Sequence, residues 1–365
     1  MRDYKLQCSK GYVSVMLIAF SVFTLWVYYS LLDLSVARLI KYSAYMMLGY
    51  LILYAGQRVS IKQLLKFSSS AYILVTCLLV MVLFSDPVNG SHRWIDLVFF
   101  KMQPSEFMKL VLPLAICSIY KNNYNKKFLD LLAIALLLLP VMLVLIEPDL
   151  GSALFLLFEG VFCIFLMSNI KKLIIACVVL LVIVTPLVYM SLKPYQLMRI
   201  LLYMNKENVP FEYAFQLMQS IASIVSGGVW GLGKGVISHV NMQFLSDHET
   251  DFIFSILAQY LGFIKTTLYI TLVFSVFWCS NFIACSCKNK MYKVIRKTYV
   301  FSMCMAVMIN VGMNMALMPV VGLSFPLLSY GGSNYVVVMA MYAIILQQSN
   351  EDMSCNKGVK GVCDD

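Results

Sequence analysis

Charge is what this chain has least of. Only 13% of its 365 residues are Asp, Glu, Lys or Arg, against 61% hydrophobic residues, and the mean hydropathy is +0.82. That balance excludes a soluble domain of this length, which would need far more polar surface around its core. Internal repeats, low-complexity tracts and any segment large enough to fold alone as a soluble domain are also missing. A cleavable leader is not expected either: the first apolar run is long, lacks a small-residue cleavage site and reads as a membrane anchor. Cysteine is present, but Cys77, Cys117, Cys163, Cys177, Cys279 and Cys304 fall inside apolar runs, and no long polar loop carries one, which argues against a disulfide framework. Cys285 and Cys287 stand two apart with no His nearby, too little for a metal site. A net charge of +10 would suggest nucleic acid in a soluble protein. Here the excess sits between apolar spans, where it sets topology and meets anionic lipid, so no nucleic-acid partner is expected.

What remains is an all-α polytopic membrane protein. Crossing hydrocarbon takes roughly 20 apolar residues per helix, because each backbone N–H and C=O must be paired within its own segment. About ten spans meet that need, near 11–32, 42–57, 70–85, 105–120, 128–146, 150–167, 173–190, 262–284, 298–318 and 333–348. Residues 1–348 then form a single integral membrane domain, and 349–365 a disordered cytoplasmic tail. Every second connection is basic: Arg2, Lys5 and Lys10, then Arg58, Lys62 and Lys66, then Lys121, Lys126 and Lys127, then Lys171 and Lys172, then the run from Lys288 to Lys297, and finally Lys357 and Lys360. The positive-inside rule makes these loops cytoplasmic, with both termini, and turns the remaining loops outward. One outward loop is long, about 191–250, with amphipathic segments around Phe215–Val225 and a Gly-rich turn at 227–235. A loop of that length usually carries function.

Four outward clusters hold the candidate chemistry. The first is Arg93-Trp94-Ile-Asp96, followed by Gln103-Pro-Ser-Glu106 and Lys109. Glu106 and Lys109 lie one helical turn apart, a spacing for a mutual pair or a shared ligand, although Pro104 and Glu106 also suit the first turn of any helix. The second is Glu147-Pro-Asp149, where the carboxylates either hold a cation or basic partner or bond the free N–H groups of the next helix, with capping the plainer role for Asp149. The third is Asp247-His-Glu-Thr-Asp251. Thr250 or Asp251 makes a competent helix cap, yet a cap needs one such residue, and a partly desolvated carboxylate there suits a general base. The fourth is Pro319-Val-Val-Gly322 through Ser329-Tyr330-Gly-Gly332, which denies the chain a regular helix and reads as a re-entrant or substrate-lining loop or a tight connector. Glu159 is the outlier, a carboxyl inside a span that is protonated, paired across helices, or functional.

Taken in order, Arg93-Trp94, Gln103-Pro-Ser-Glu106, Pro148-Asp-Leu-Gly151, Thr250-Asp-Phe-Ile-Phe254 and Ser329-Tyr-Gly-Gly332 resemble the SEDS family, the ten-span enzymes that polymerise lipid II into peptidoglycan. Leu192-Lys-Pro-Tyr, Pro148-Asp-Leu-Gly151 and Met318-Pro-Val-Val-Gly322 look more like its elongation branch, RodA, than its division branch, FtsW. The resemblance implies a peptidoglycan glycosyltransferase of the bacterial cytoplasmic membrane, serving cell elongation, with its active face outward. It implies that Asp251 is the catalytic base, that Arg93, Trp94, Lys109, Arg199, Ser329 and Tyr330 bind substrate, and that Glu106 and Asp149 support these groups or a divalent cation, Mg or Mn. It further implies a class B penicillin-binding protein and other elongation-complex membrane proteins as partners. The chain departs from the family at Ser246 and Asp247, usually Pro-Glu, at Glu249, usually His, at Gln259 and Tyr260, usually acidic, and at Tyr213-Ala-Phe215, where Gly-Tyr-His is common. The alternatives are a division-type polymerase, a flippase for lipid-linked precursors, and a non-catalytic scaffold of the wall-synthesis complex.

Overall fold

The structure, a computed structural model, describes residues 2–30, 35–85, 93–97, 100–121, 126–168, 211–233 and 249–347. The expected span near 173–190, Arg199, most of the long loop, and the expected disordered tail lie outside the described residues. Ten helices are described: α1 (Arg2–Ser30), α2 (Val36–Gly56), α3 (Ile61–Val82), α4 (Pro104–Ile119), α5 (Lys126–Ile146), α6 (Leu150–Met167), α7 (Phe211–Ser226), α8 (Ile253–Cys285), α9 (Lys290–Asn314) and α10 (Gly332–Leu346). Seven of them, α1, α2, α3, α5, α6, α8 and α9, are long and apolar enough to cross a membrane; α4 and α10 are shorter. The polytopic helical reading therefore stands, with one addition. Ile95–Leu97 (β1) and Phe100–Met102 (β2) form a small antiparallel hairpin, pairing Ile95 with Met102 and Asp96 with Lys101.

Local chemistry explains where the helices start. Ser60 and Gln63 make a capping box at α3, each side chain serving the other's backbone N–H. Pro104 opens α4, where its missing N–H costs nothing. Asp149 caps α6 through Ser152 N at 3.1 Å, and Asn289 caps α9 through Met291 N at 2.9 Å. Helix α8 is interrupted at Gly262, whose φ of 74° and ψ of 178° admit only glycine. The carbonyls and N–H groups freed there pair with the Gly-rich turn: Leu232 N donates to Gln259 O at 3.1 Å, and Phe263 N donates to Gly228 O at 2.9 Å. Irregular backbone inside the bundle is tolerated because this turn satisfies it.

Hydrogen bonds sort the bundle into two ends. At one, Lys10 Nζ and Arg296 Nη2 both donate to Gln347 O, Gln347 Nε2 donates to Val59 O, and Lys290 Nζ donates to Met167 O. Among the described residues, this end carries the basic connections around Lys10, Arg58 and Lys66, Lys121 and Lys127, and Lys288 and Lys297. At the other, Tyr28 Oη donates to Leu328 O at 2.6 Å, Thr24 Oγ1 to Leu327 O at 2.8 Å, and Arg38 pairs with Glu249 at 2.7 Å. The described residues of the four motif clusters lie at this second end.

Candidate functional site

The loop between α9 and α10, residues 315–331, is the hub of that end. On one side it meets the turn at 249–252. Ser329 Oγ donates to Thr250 O at 2.6 Å and accepts from Phe325 N at 2.6 Å, while Tyr330 N donates to Glu249 O at 2.8 Å. On the other side it meets the start of α6: a Cβ on Gly151 would lie 2.0 Å from Val321 O, so only glycine allows this approach. Further along the chain, Ser333 Oγ accepts from Gln103 N at 3.3 Å and donates to Lys101 O at 2.9 Å, which ties in the hairpin and α4.

Asp251 is half-buried, and its backbone is held from below. Asn310 and Asn314, one turn apart on α9, each donate a side-chain N–H to Asp251 O at 3.0 Å. Asn310 also donates to Leu323 O at 2.7 Å, and so locks the turn and the loop to the same helix. The carboxylate lies against Gly322, where a Cβ would come within 3.3 Å of Asp251 Oδ2 and where φ is +66°. Capping of α8 by Thr250 or Asp251 does not occur: the N-cap position is Phe252, and no side chain caps it. The turn at 249–252 places Asp251 one residue before the cap position, and its carbonyl is committed to the two asparagines.

The neighbouring carboxylates have different tasks. Asp149 is buried and fully engaged, accepting from Ser152 N, from Ser152 Oγ at 2.9 Å and from Gln103 Nε2 at 3.3 Å, with Arg93 Nε at 3.8 Å. Arg93 also donates through Nη2 to Pro148 O. Glu147 is completely buried, and neither of its oxygens has a hydrogen-bond partner. Burial pushes its carboxyl up to about 9, with Asp149 adding to the rise and Arg93 opposing it. Glu106 and Lys109 form the mutual pair expected from their spacing, 2.6 Å apart and buried, with the ammonium 4.5 Å from the centroid of Phe155. Glu249 brings extra negative charge beside Asp251, and Arg38 meets it.

Of the residues expected to bind substrate, Trp94 is exposed on the hairpin approach, and Tyr330 stacks on Tyr42 with centroids 5.4 Å apart. Burial raises the Tyr330 phenol above its ordinary range. The hydroxyl of Ser329 is occupied by the two loop bonds just described. Arg38, Asn310 and Asn314 went unnoticed in the sequence. Two Asn side chains spaced i, i+4 in an apolar span were the available signal for the last two. Among the described residues, no group of three His, Cys, Asp or Glu side chains comes together to cage a metal.

The comparisons with known proteins fit this geometry. A family model described as "Cell cycle protein", covering FtsW, RodA and SpoVE, matches residues 9–353. This chain belongs to the FtsW/RodA/SpoVE family. Among curated members, the peptidoglycan glycosyltransferase MrdB of Escherichia coli is 31% identical over 79% of this chain and 80% of its own length. A probable peptidoglycan glycosyltransferase FtsW of Wigglesworthia glossinidia brevipalpis is 32% identical over 86% and 84%. Among solved structures, a chain from a peptidoglycan synthase complex, described as coordinating polymerization and crosslinking, superposes with a TM-score of 0.79 at 25% identity, covering 92% of this chain and 95% of that one. The rod shape determining protein RodA of Thermus thermophilus shares the fold, with a TM-score of 0.67 at 23% identity over 92% and 94%. The MrdB and FtsW relatives are 31% and 32% identical to this chain, so identity does not separate the RodA branch from the FtsW branch.

Proposed function

We propose that this chain polymerises lipid II into glycan strands, with Asp251 as the general base. Peptidoglycan glycosyltransferase is the activity its curated relatives carry in their names. The observation that carries the assignment of the base is the mounting of Asp251. Its backbone is fixed by Asn310 and Asn314, and its carboxylate is set against Gly322, where a Cβ would come within 3.3 Å of Oδ2. Holding the base in place before the substrate arrives lowers the cost of reaching the reactive geometry.

In this reading Asp251 takes the proton of the 4-hydroxyl of an acceptor lipid II. The freed oxygen attacks the anomeric carbon of the donor chain, the bond to the pyrophosphate breaks, and undecaprenyl pyrophosphate leaves with its electron pair. Inversion gives a β-1,4 link. Arg93, Lys109 and Arg199 supply positive charge for the pyrophosphate, and Trp94 and Tyr330 offer aromatic faces to the sugars and lipid. Ser329 contributes by shaping the loop. The divalent cation, Mg or Mn, is part of the proposal as a neutraliser of pyrophosphate charge. The described residues do not gather ligands for it, and no step here runs through it.

We place the site on the outer face of the bacterial cytoplasmic membrane, because the basic connections gather at the opposite end of the bundle. Elongation is the proposed setting, with a class B penicillin-binding protein as crosslinking partner and other elongation-complex membrane proteins around it. The test is glycan-strand synthesis from labelled lipid II by the purified chain with its cognate transpeptidase, comparing wild type with Asp251→Asn. Product from wild type alone is expected. Equal product from both removes Asp251 as the base, and none from either, with the partner bound, moves the chain to a scaffold or flippase.

A further inference from the structure

Glu159 sits in the interior of the bundle, completely buried, on α6. One oxygen, Oε1, contacts Ser302 Oγ on α9, and the other has no partner. Ser302 also contacts Thr298 O at 2.9 Å. A hydroxyl owns a single hydrogen, so it cannot donate fully to both the carboxyl and the carbonyl. If Ser302 donates to Thr298, the hydrogen in the other contact must belong to Glu159. The remaining assignment leaves a bare carboxylate with one donor and one orphaned oxygen in an apolar interior, which is far more costly.

The charged groups that face Glu159 are on α4. Lys109 interacts with it most strongly, then Glu106. The route is visible in the packing. Lys109 Nζ stands 4.5 Å from the ring of Phe155, which lies one turn before Glu159 on the same face of α6. From α9, besides Ser302, Tyr299 faces the same region and donates its hydroxyl to Leu110 O of α4 at 2.7 Å. Glu106 is nearer the Asp251 end than Lys109, and Glu159 is deeper, by about 6 Å from Phe155 at the rise of an α-helix. The ammonium therefore has a carboxyl on each side, one towards the site and one away from it.

We propose that Glu159 is a positioning residue, held as a carboxylic acid that donates to Ser302, so that Lys109 stays paired with Glu106 and is held towards the lipid II site. The three groups then sum to zero charge, which a low-dielectric interior favours. An ionised Glu159 would compete for the ammonium and draw it inward. The inference rests on the proposed role of Lys109 in substrate binding, and it is tested in a way that separates the two.

The experiment uses the purified full chain, as wild type, Glu159→Gln and Glu159→Ala. Two readouts are taken, the heat-unfolding midpoint in detergent and the affinity for fluorescent lipid II, with turnover measured alongside. Gln keeps a neutral donor and acceptor, so Glu159→Gln is expected to hold the midpoint within about 1 °C and the affinity within about twofold of wild type, while Glu159→Ala removes the side chain that bars the ammonium from moving inward, leaves Ser302 Oγ open to accept from it, and weakens lipid II binding about tenfold. If Gln is as damaging as Ala, the side chain works as an anion and the proposal fails. If Ala leaves lipid II affinity unchanged, whatever it does to the midpoint, Glu159 positions nothing and the proposal also fails. Loss of turnover in wild type, with the affinity pattern intact, sinks the polymerase reading and leaves this inference standing.

Discussion

Replacing Glu147 by Gln should make the protein more stable, and more so as pH rises. Glu147 is completely buried, with both carboxyl oxygens unpartnered, and it keeps its proton up to about pH 9 in the folded state, against an ordinary value of 4.5. Between those values the unfolded chain has released the proton and the folded chain has not. Stability therefore falls as pH climbs from about 4.5 to about 9 and is level above that. Each unit of pH inside the window costs about 1.4 kcal/mol, so Glu147 should cost about 3 kcal/mol at pH 7 and about 1 kcal/mol near pH 5.5. Gln cannot ionise, and it inherits the same unpartnered position that the protonated carboxyl occupies. The substitution thus removes the titration and little else.

The assay is the heat-unfolding midpoint of wild type and Glu147→Gln in detergent from pH 5 to pH 9. Other carboxylates titrate in both proteins and cancel in the difference. For a chain of this size about 2 °C per kcal/mol is expected, so the variant should gain roughly 6 °C at pH 7 and only about 2 °C near pH 5.5. A difference that stays flat with pH, or a variant less stable at pH 8, would refute the argument. Either result would mean that the folded protein ionises Glu147 and pays for it with a partner.

Three further outcomes follow from the same contacts. Gly322→Ala adds a Cβ within 3.3 Å of Asp251 Oδ2 at a φ of +66°, so glycan synthesis should fall at least about tenfold for a stability loss of about 1–2 kcal/mol, read by strand length on gels and by unfolding midpoint. Arg38→Ala leaves Glu249 without its 2.7 Å partner; because the pair is half-exposed, the midpoint should shift by less than about 1 kcal/mol, while added salt should affect the variant's turnover less than the wild type's. Arg296→Met strips buried donors from Ile344 O and Gln347 O and should cost about 2–3 kcal/mol, seen as poor yield and a low midpoint with no selective loss of lipid II affinity.

The sequence displayed the helices and the two faces because both signals are strong and local. Long apolar runs and alternating basic loops need no tertiary information. The Glu106–Lys109 pair was equally legible, since i, i+3 spacing on a helix dictates contact. The hairpin at 95–102 was not, because three-residue strands carry no period. Nor was the use of Ser329, whose hydroxyl is spent on Thr250, a residue distant in the chain. Capping by Thr250 or Asp251, the plainer of the two roles open to that turn, is not the one the structure adopts. Phe252 takes the N-cap position, and the carbonyl of Asp251 accepts from Asn310 and Asn314 on α9, contacts that only the tertiary packing supplies.

The sorting of charge that orients the chain also bears on individual helices. Helices α4, α6 and α10 run from the Asp251 end to the basic end, so the acids at the starts of α4 and α6 and the cations at the ends of α6 and α10 complement their dipoles. Glu106 lies in the first turn of α4, Asp149 caps α6, Lys290 reaches the last carbonyls of α6, and Arg296 with Lys10 reaches those of α10. Helices α3 and α9 run the other way and start among lysines, where the dipole is opposed. Their caps are neutral: Ser60 with Gln63 at α3, and Asn289 at α9. Neutral caps satisfy the free N–H groups without cancelling the positive charge that the topology needs. An acid at either position should therefore stabilise its helix by a fraction of a kcal/mol and at the same time subtract from the basic signal of its loop.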